Sequence, residues 1–453
     1  MSAQDEVTRK QVAEEIQSSP TGEALNRWEW VERSVWTDRM LQALEHGVKG
    51  GRWHSLIDKV YKELNLLSSY KKVRKNKGSA GVDHQSVTGF GNNLAEEIAK
   101  LQESLKSGTY TPQSIRRVYI PKAGSNKKRA LGIPTVRDRV VQGALLQVIE
   151  PIFEEIFASQ SYGFRPNRGC KDALRRADEL MRSGYWWIVD IDFEKYFDTI
   201  DHEKLLKLIK EKISDGGIIS LIKKFLGQEI LEEMSNWKPE RGTPQGAVIS
   251  PLLSNIYLNP LDHLMTEEGF EMVRYADDAV VLCRSEDEAR AAYAVLVKWT
   301  EQAGLRLHPE KTKIVNLSNR EGLDFLGYHF EVSKKYPSRI NRWPRNNARI
   351  SLRNRLRPLT KRTNGNSMEA IIHRINPILM GWYEFFKQSH RFTFPEADGW
   401  VRMRLRSILR KRMKRKGIGN GWDNQRWPNA YFSKQGLFSM AEAHVLNLQS
   451  SLR

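Results

Sequence analysis

The chain has 453 residues, of which 40% are hydrophobic and 28% charged. Only Cys170 and Cys283 are present, which excludes a disulfide scaffold and a four-cysteine zinc site and leads us to expect a reducing cytoplasm. No apolar run reaches the roughly 18 residues of a membrane helix, and the first ten residues lack a signal-like apolar core. The 73 basic and 54 acidic residues leave a net charge of +19, which points to a polyanionic partner such as nucleic acid.

The first stretch, to about residue 68, carries Trp28, Trp30, Trp36 and Trp53. Met40, Leu41 and Leu44 have helical spacing, and Gly47, Gly50 and Gly51 interrupt it. Short helices that pack onto a larger body are predicted, because the segment is too small to hold its own core. Residues 69–330 mix strand and helix signals, with RRVYI (116–120), WWIVDID (186–192) and AVVLC (279–283) as β-rich runs between amphipathic helices. That pattern predicts an α+β fold.

A turn-rich stretch separates Lys122 from Arg129, so a hairpin would set these two cations across from each other at its tip. Further on, alternation puts Asp190 and Asp192 on one face of a strand and Val189, Ile191 and Phe193 on the other. Asp277 and Asp278 sit between apolar runs, which suits the tight turn of a hairpin. Two such acidic sites in one basic chain fit carboxylates that share Mg²⁺ for phosphoryl transfer.

From about 345 to 416 the chain reads as helices. Ile371, Ile375, Ile378, Trp382 and Phe386 form one stripe, which Pro377 should kink or split. Val401–Lys416 holds nine basic residues and no acid. Trp422 and Trp427 could stack on bases, but packing of a small core is the expectation. Residues 331–453 carry 26 basic and 7 acidic residues, so the first 330 are neutral. A domain boundary near 331 is expected, followed by a module that binds phosphates.

Several boxes now follow in order. They are RVYIPK (117–122), RALGIP (129–134), SYGFRPNR (161–168) and DFEKYFD (192–198). GTPQG (242–246), SPLLSN (250–255), YADD (275–278), GLRLHPEKT (304–312) and FLGY (325–328) complete the series. Together they resemble bacterial group II intron-encoded reverse transcriptase/maturases. The resemblance implies a right-hand polymerase, with fingers and palm over 69–330. It further implies a helical thumb or maturase domain over 331–398, a basic DNA-binding region over 399–453 and a helical extension over 1–68.

It also implies Asp192, Asp277 and Asp278 as catalytic carboxylates on two Mg²⁺ ions, with Asp190 the rival to Asp192. Lys122, Arg129 and Gln245 would contact the dNTP, Lys311 (with Lys313 the alternative) would lie near the leaving pyrophosphate, and Phe197 would exclude a 2′-hydroxyl. Residues 74–78 and 81–83 resemble a loop over the template. The implied partners are intron RNA, an RNA template with its DNA primer, target DNA and dNTPs, in a bacterial cytoplasmic or nucleoid-associated particle without a zinc endonuclease domain or a membrane. The implied activity is RNA-directed DNA synthesis, with splicing assistance and target-primed intron mobility. A reverse transcriptase recruited to defence or repair, or a non-catalytic maturase, are the alternatives.

Overall fold

The computed structural model describes residues 27–121, 128–232, 235–333, 335–336, 339–417 and 421–450. Its strands are β1 (Ile115–Pro121), β2 (Lys128–Ile133), β3 (Trp187–Ile191), β4 (Ile230–Glu232), β5 (Ser235–Trp237), β6 (Glu271–Tyr275), β7 (Asp278–Cys283), β8 (Lys313–Asn316), β9 (Leu323–Phe325), β10 (Tyr328–Val332) and β11 (Ile340–Pro344). They form three sheets with orders β2-β1-β4-β5, β6-β7-β3-β8 and β11-β10-β9. The second sheet is antiparallel throughout. With helices between and after the strands, the fold is α+β.

The helix Val136–Glu154 runs through the largest core. It is buried on nearly every side, unlike a surface helix with one apolar stripe. Thr135 caps it by accepting from the Asp138 amide at 3.1 Å. The helix Glu63–Asn76 lies against it, joined by Ser69 Oγ donating to Val140 O at 2.7 Å and Asn65 Nδ2 to Ala144 O at 3.1 Å. The first described segment docks on the same helix: Trp36 is fully buried and its indole donates to Gln147 O at 3.0 Å. Its tryptophans thus join a core that other segments supply.

A second core lies between the β6-β7-β3-β8 sheet, the β9–β11 sheet and the helix Cys170–Arg182. A third is formed by the helices Asn346–Leu356, Met368–Phe386 and Thr393–Arg412 with the short helices after them. The charge step near 331 falls inside β10, which pairs with both neighbours in its sheet. Among the described residues no helix is long and apolar enough to cross a membrane.

One expectation is narrowed and two need correction. Of the two outcomes expected at Pro377, a kink or a split, the split does not occur, since the helix is continuous from Met368 to Phe386. Pro377 and His373 are both exposed, so the carbonyl freed by the missing N–H lies on the solvent side, where water can serve it. Arg74, Lys75 and Asn76 are the last turn of a helix and not a loop, with Lys77 closing it in the left-handed region at φ 50°. Trp427 is buried in the third core, but Trp422 is 77% exposed and contributes nothing to a core.

Candidate active site

Strand pairing brings the two acidic sites together. β3 pairs with β7 so that Asp190 faces Val280 and Ile191 faces Ala279. Asp192 follows directly at the end of β3. β6 and β7 form a hairpin closed by the Tyr275–Asp278 pair, leaving Ala276 and Asp277 as a two-residue turn. Ala276 has φ +58°, the left-handed region that a two-residue hairpin turn requires and that a side chain disfavours.

The segment after the helix Glu286–Ala303 wraps Asp192. His308 N donates to Asp192 O at 2.7 Å, and the Asp192 amide donates to Thr312 Oγ1 at 3.2 Å. Lys311 Nζ lies 2.9 Å from both Asp192 carboxylate oxygens. Burial raises the pKa of Asp277, and the negative charge of Asp192 adds to the rise while Arg129 and Arg274 oppose it. Burial likewise pushes Asp190 up to about 6, against Lys313 and with help from Asp278 and Asp192. Asp190, Asp192, Asp278 and Lys311 line one cleft of about 470 Å³.

The rest of that cleft is lined by residues 324–327, Arg345 and Phe385, while the β1–β2 hairpin approaches Asp277 through Arg129. Ile120 pairs with Arg129 there, so the expected hairpin exists. Lys122, which would stand at its tip, lies outside the described residues. Arg129 Nε donates to Gln245 Oε1 at 2.8 Å, and Gly132 N to Gln245 O at 2.7 Å. Arg129 and Gln245 are therefore brought together, with Arg129 in electrostatic reach of Asp277. Phe197 is buried at the start of a one-turn helix, its ring 5.4 Å from that of Tyr196 and its carbonyl accepting from Thr243 N at 2.7 Å.

The carboxylates suit a hard divalent cation. They are oxygen donors that repel one another, and the ammonium of Lys311 now sits on one of them. Among the described residues no three carboxylate, imidazole or thiol groups converge on one point. The donor set thus matches such an ion through the Asp192 and Asp277 sites rather than a ready-made cage.

Behind the turn lies a buried network without an expected role. Arg274 is 0% exposed, as is its partner Asp262. Its Nε donates to Asp262 Oδ1 at 2.7 Å and its Nη2 to Asp262 Oδ2. The remaining donors reach Asn255 Oδ1 at 3.0 Å, Ser161 Oγ at 2.7 Å and the carbonyl of Ala276 at 2.8 Å. Asn255 Nδ2 in turn donates to Gly163 O at 2.8 Å. A Cβ on Gly163 would lie 2.2 Å from Ala276 N. Ser161, Gly163 and Asn255 fall within the 161–168 and 250–255 boxes, but nothing in the sequence joins them to Arg274.

Comparison with known proteins gives two family matches in this order: reverse transcriptase (RNA-dependent DNA polymerase) over residues 120–330, and group II intron, maturase-specific domain over residues 350–427. Protein YkfC of Escherichia coli (strain K12) is 34% identical over 293 residues, covering 55% of this chain and 74% of that protein. Group II intron-encoded protein LtrA of Lactococcus lactis subsp. cremoris is 42% identical over 214 residues, covering 47% of this chain. A 91 kDa protein in the cob intron of Schizosaccharomyces pombe is 32% identical over 330 residues, covering 59% of this chain. The matches span 35% of the Lactococcus protein and 40% of the Schizosaccharomyces protein.

Proposed function

The chain belongs to the group II intron-encoded reverse transcriptase/maturase family, and from that premise we propose that it is an RNA-directed DNA polymerase that binds its intron RNA as a splicing maturase and supports intron mobility by target-primed reverse transcription. The observation that carries the reading is the approach of Asp192 to the Ala276–Asp277 turn at the ends of β3 and the β6–β7 hairpin.

Asp192 and Asp277, with Asp278 beside them, would hold the divalent metal, two Mg²⁺ ions in the full form. When bound, that metal would favour deprotonation of the primer 3′-hydroxyl and offset charge on the leaving pyrophosphate. Lys311 would exchange Asp192 for phosphate oxygens. Arg129, oriented by Gln245, would grip the triphosphate with its planar fork, and Lys122 would add a point charge. Phe197 would close the space a 2′-hydroxyl needs. The partners would be intron RNA, a template–primer duplex and target DNA. Residues 1–68, 69–330, 331–398 and 399–453 would act as extension, fingers and palm, thumb or maturase domain, and DNA-binding region.

The test is extension of a DNA primer on an RNA template with Mg²⁺ and dNTPs. Wild type should extend it. Asp277→Ala should abolish synthesis while RNA affinity stays within a few-fold. No extension by wild type refutes the polymerase; a collapse of RNA affinity in the variant makes Asp277 structural.

A further inference from the structure

A cleft of about 820 Å³ opens between the β10–β11 turn, the connection Lys387–Phe392 and the last helix, Met440–Ser450. It shares no lining residue with the cleft that holds Asp192. Its described lining contains no carboxylate. Arg182 and Arg342 are answered from behind by Asp178, at 2.8 and 2.9 Å. Lys387 meets Glu384 at 2.9 Å.

Arg339 and Arg391 differ: among the described residues neither has a carboxylate within ion-pair distance. Both act on His390, whose pKa burial and then these two guanidiniums hold below the usual imidazole value. Two guanidiniums in one cleft without a carboxylate partner favour an anion there. His444 is buried in the same wall, and its Nδ1 has no hydrogen-bond partner among the described residues.

The second element is aromatic. Phe392 is 67% exposed, with the Arg391 guanidinium 5.0 Å from its ring centre and the His390 ring at 5.2 Å. Tyr336 also lines the cleft, half exposed. A free phosphate would use the arginines but not these rings. A duplex would offer phosphates, but its bases are already stacked. An unpaired nucleotide satisfies both, with a phosphate for the cations and a base face for the ring.

We propose that this cleft binds a single-stranded segment of nucleic acid, with a phosphate between Arg339 and Arg391 and a base stacked on Phe392. The proposal rests on the nucleic-acid reading above and adds a site away from the polymerase centre.

The test uses the full chain and two labelled probes, single-stranded RNA and single-stranded DNA, each carrying iodouracil. A base-paired RNA duplex is the control. Irradiation should crosslink the single strand to the peptide that contains Phe392, and Arg391→Ala should remove that crosslink. Phe392→Ala and Arg391→Ala should each weaken single-strand binding by about tenfold, and only Arg391→Ala should make the salt dependence shallower. Duplex binding and primer extension should stay near wild type. Loss on the RNA probe alone identifies an RNA strand, loss on the DNA probe alone a DNA strand, and loss on both a contact blind to the sugar. Absence of the crosslink, unchanged binding in both variants, or an equal loss for the duplex overturns the proposal. A wild-type chain that extends primers but gives one of those results refutes the cleft and leaves the polymerase standing.

Discussion

Arg274 is a charge in the interior of a sheet, and every donor it has is occupied. Its bond to the Ala276 carbonyl fixes a turn whose first residue sits at φ +58°. Removing the guanidinium would leave Asp262 buried and unpaired. Arg274→Met should therefore cost about 3–5 kcal/mol of stability, read by thermal or urea denaturation. Adding Asp262→Leu should recover most of that loss without restoring synthesis, because the carbonyl of Ala276 stays unheld. Gly163→Ala probes the same turn from the other side. Its Cβ would meet backbone rather than a flexible side-chain tip. The turn must move, and kcat for primer extension should fall by about tenfold or more with the KM for dNTP little changed. A variant with wild-type kcat would remove Gly163 from the positioning network. The pairing of Asp190 and Asp192 on one face was legible from alternation alone. Arg274 was not, since its partners come from residues 161, 255 and 262, which only the folded chain assembles.

Hairpins and helices are local, and the sequence reads them well. The β6–β7 turn and the β1–β2 pairing follow from turn residues between β-rich runs. Spacing could not choose between a kink and a split at Pro377, because the consequence of a missing N–H depends on whether the freed carbonyl faces water. Docking between distant elements is equally hidden, as Asp215 shows. It caps the helix Gly216–Leu226 by accepting from Ile218 N at 3.1 Å, and it also accepts from Leu56 N at 2.5 Å and Ile57 N at 2.9 Å. One carboxylate thus ties the first segment to the body of the chain. Burial works against its charge, but the amides of Ile57, Ile218 and Leu56 outweigh this and hold its pKa below the usual value. The stabilisation is present above the unfolded value, near 3.8, and is lost as pH falls through the lower folded value. Asp215→Ala should cost about 2–4 kcal/mol at pH 7, since it strands several buried amides. The gap between wild type and variant should narrow in acid. A gap that is constant with pH would mean that the charge on Asp215 does not contribute.

At the scale of the whole chain, charge was the most legible property and secondary structure the least needed to read it. The step near residue 331 separates a neutral body, where pairing of β3 with β7 builds the carboxylate site, from a cationic end. The structure refines that division, because β10 carries the step and its sheet packs on the same core as the helix Cys170–Arg182. The cationic end is therefore held against the body that carries the carboxylate site and does not hang from a linker. Within it the helix Thr393–Arg412 buries Val401, Leu405, Ile408 and Leu409, and its charge concentrates where the helix leaves that core. Lys411, Lys414 and Lys416 are exposed there. Phosphate binding by such residues releases counterions, so affinity for a template–primer duplex should fall linearly in log–log form with salt. Replacing the three lysines by serine should reduce the slope by about 0.9 for each phosphate no longer neutralised. Synthesis at saturating duplex should persist, because the carboxylates lie on a different core. An unchanged slope would place the duplex elsewhere on the basic surface. Loss of synthesis at saturation would mean that the helix end acts on the catalytic site and not on affinity alone.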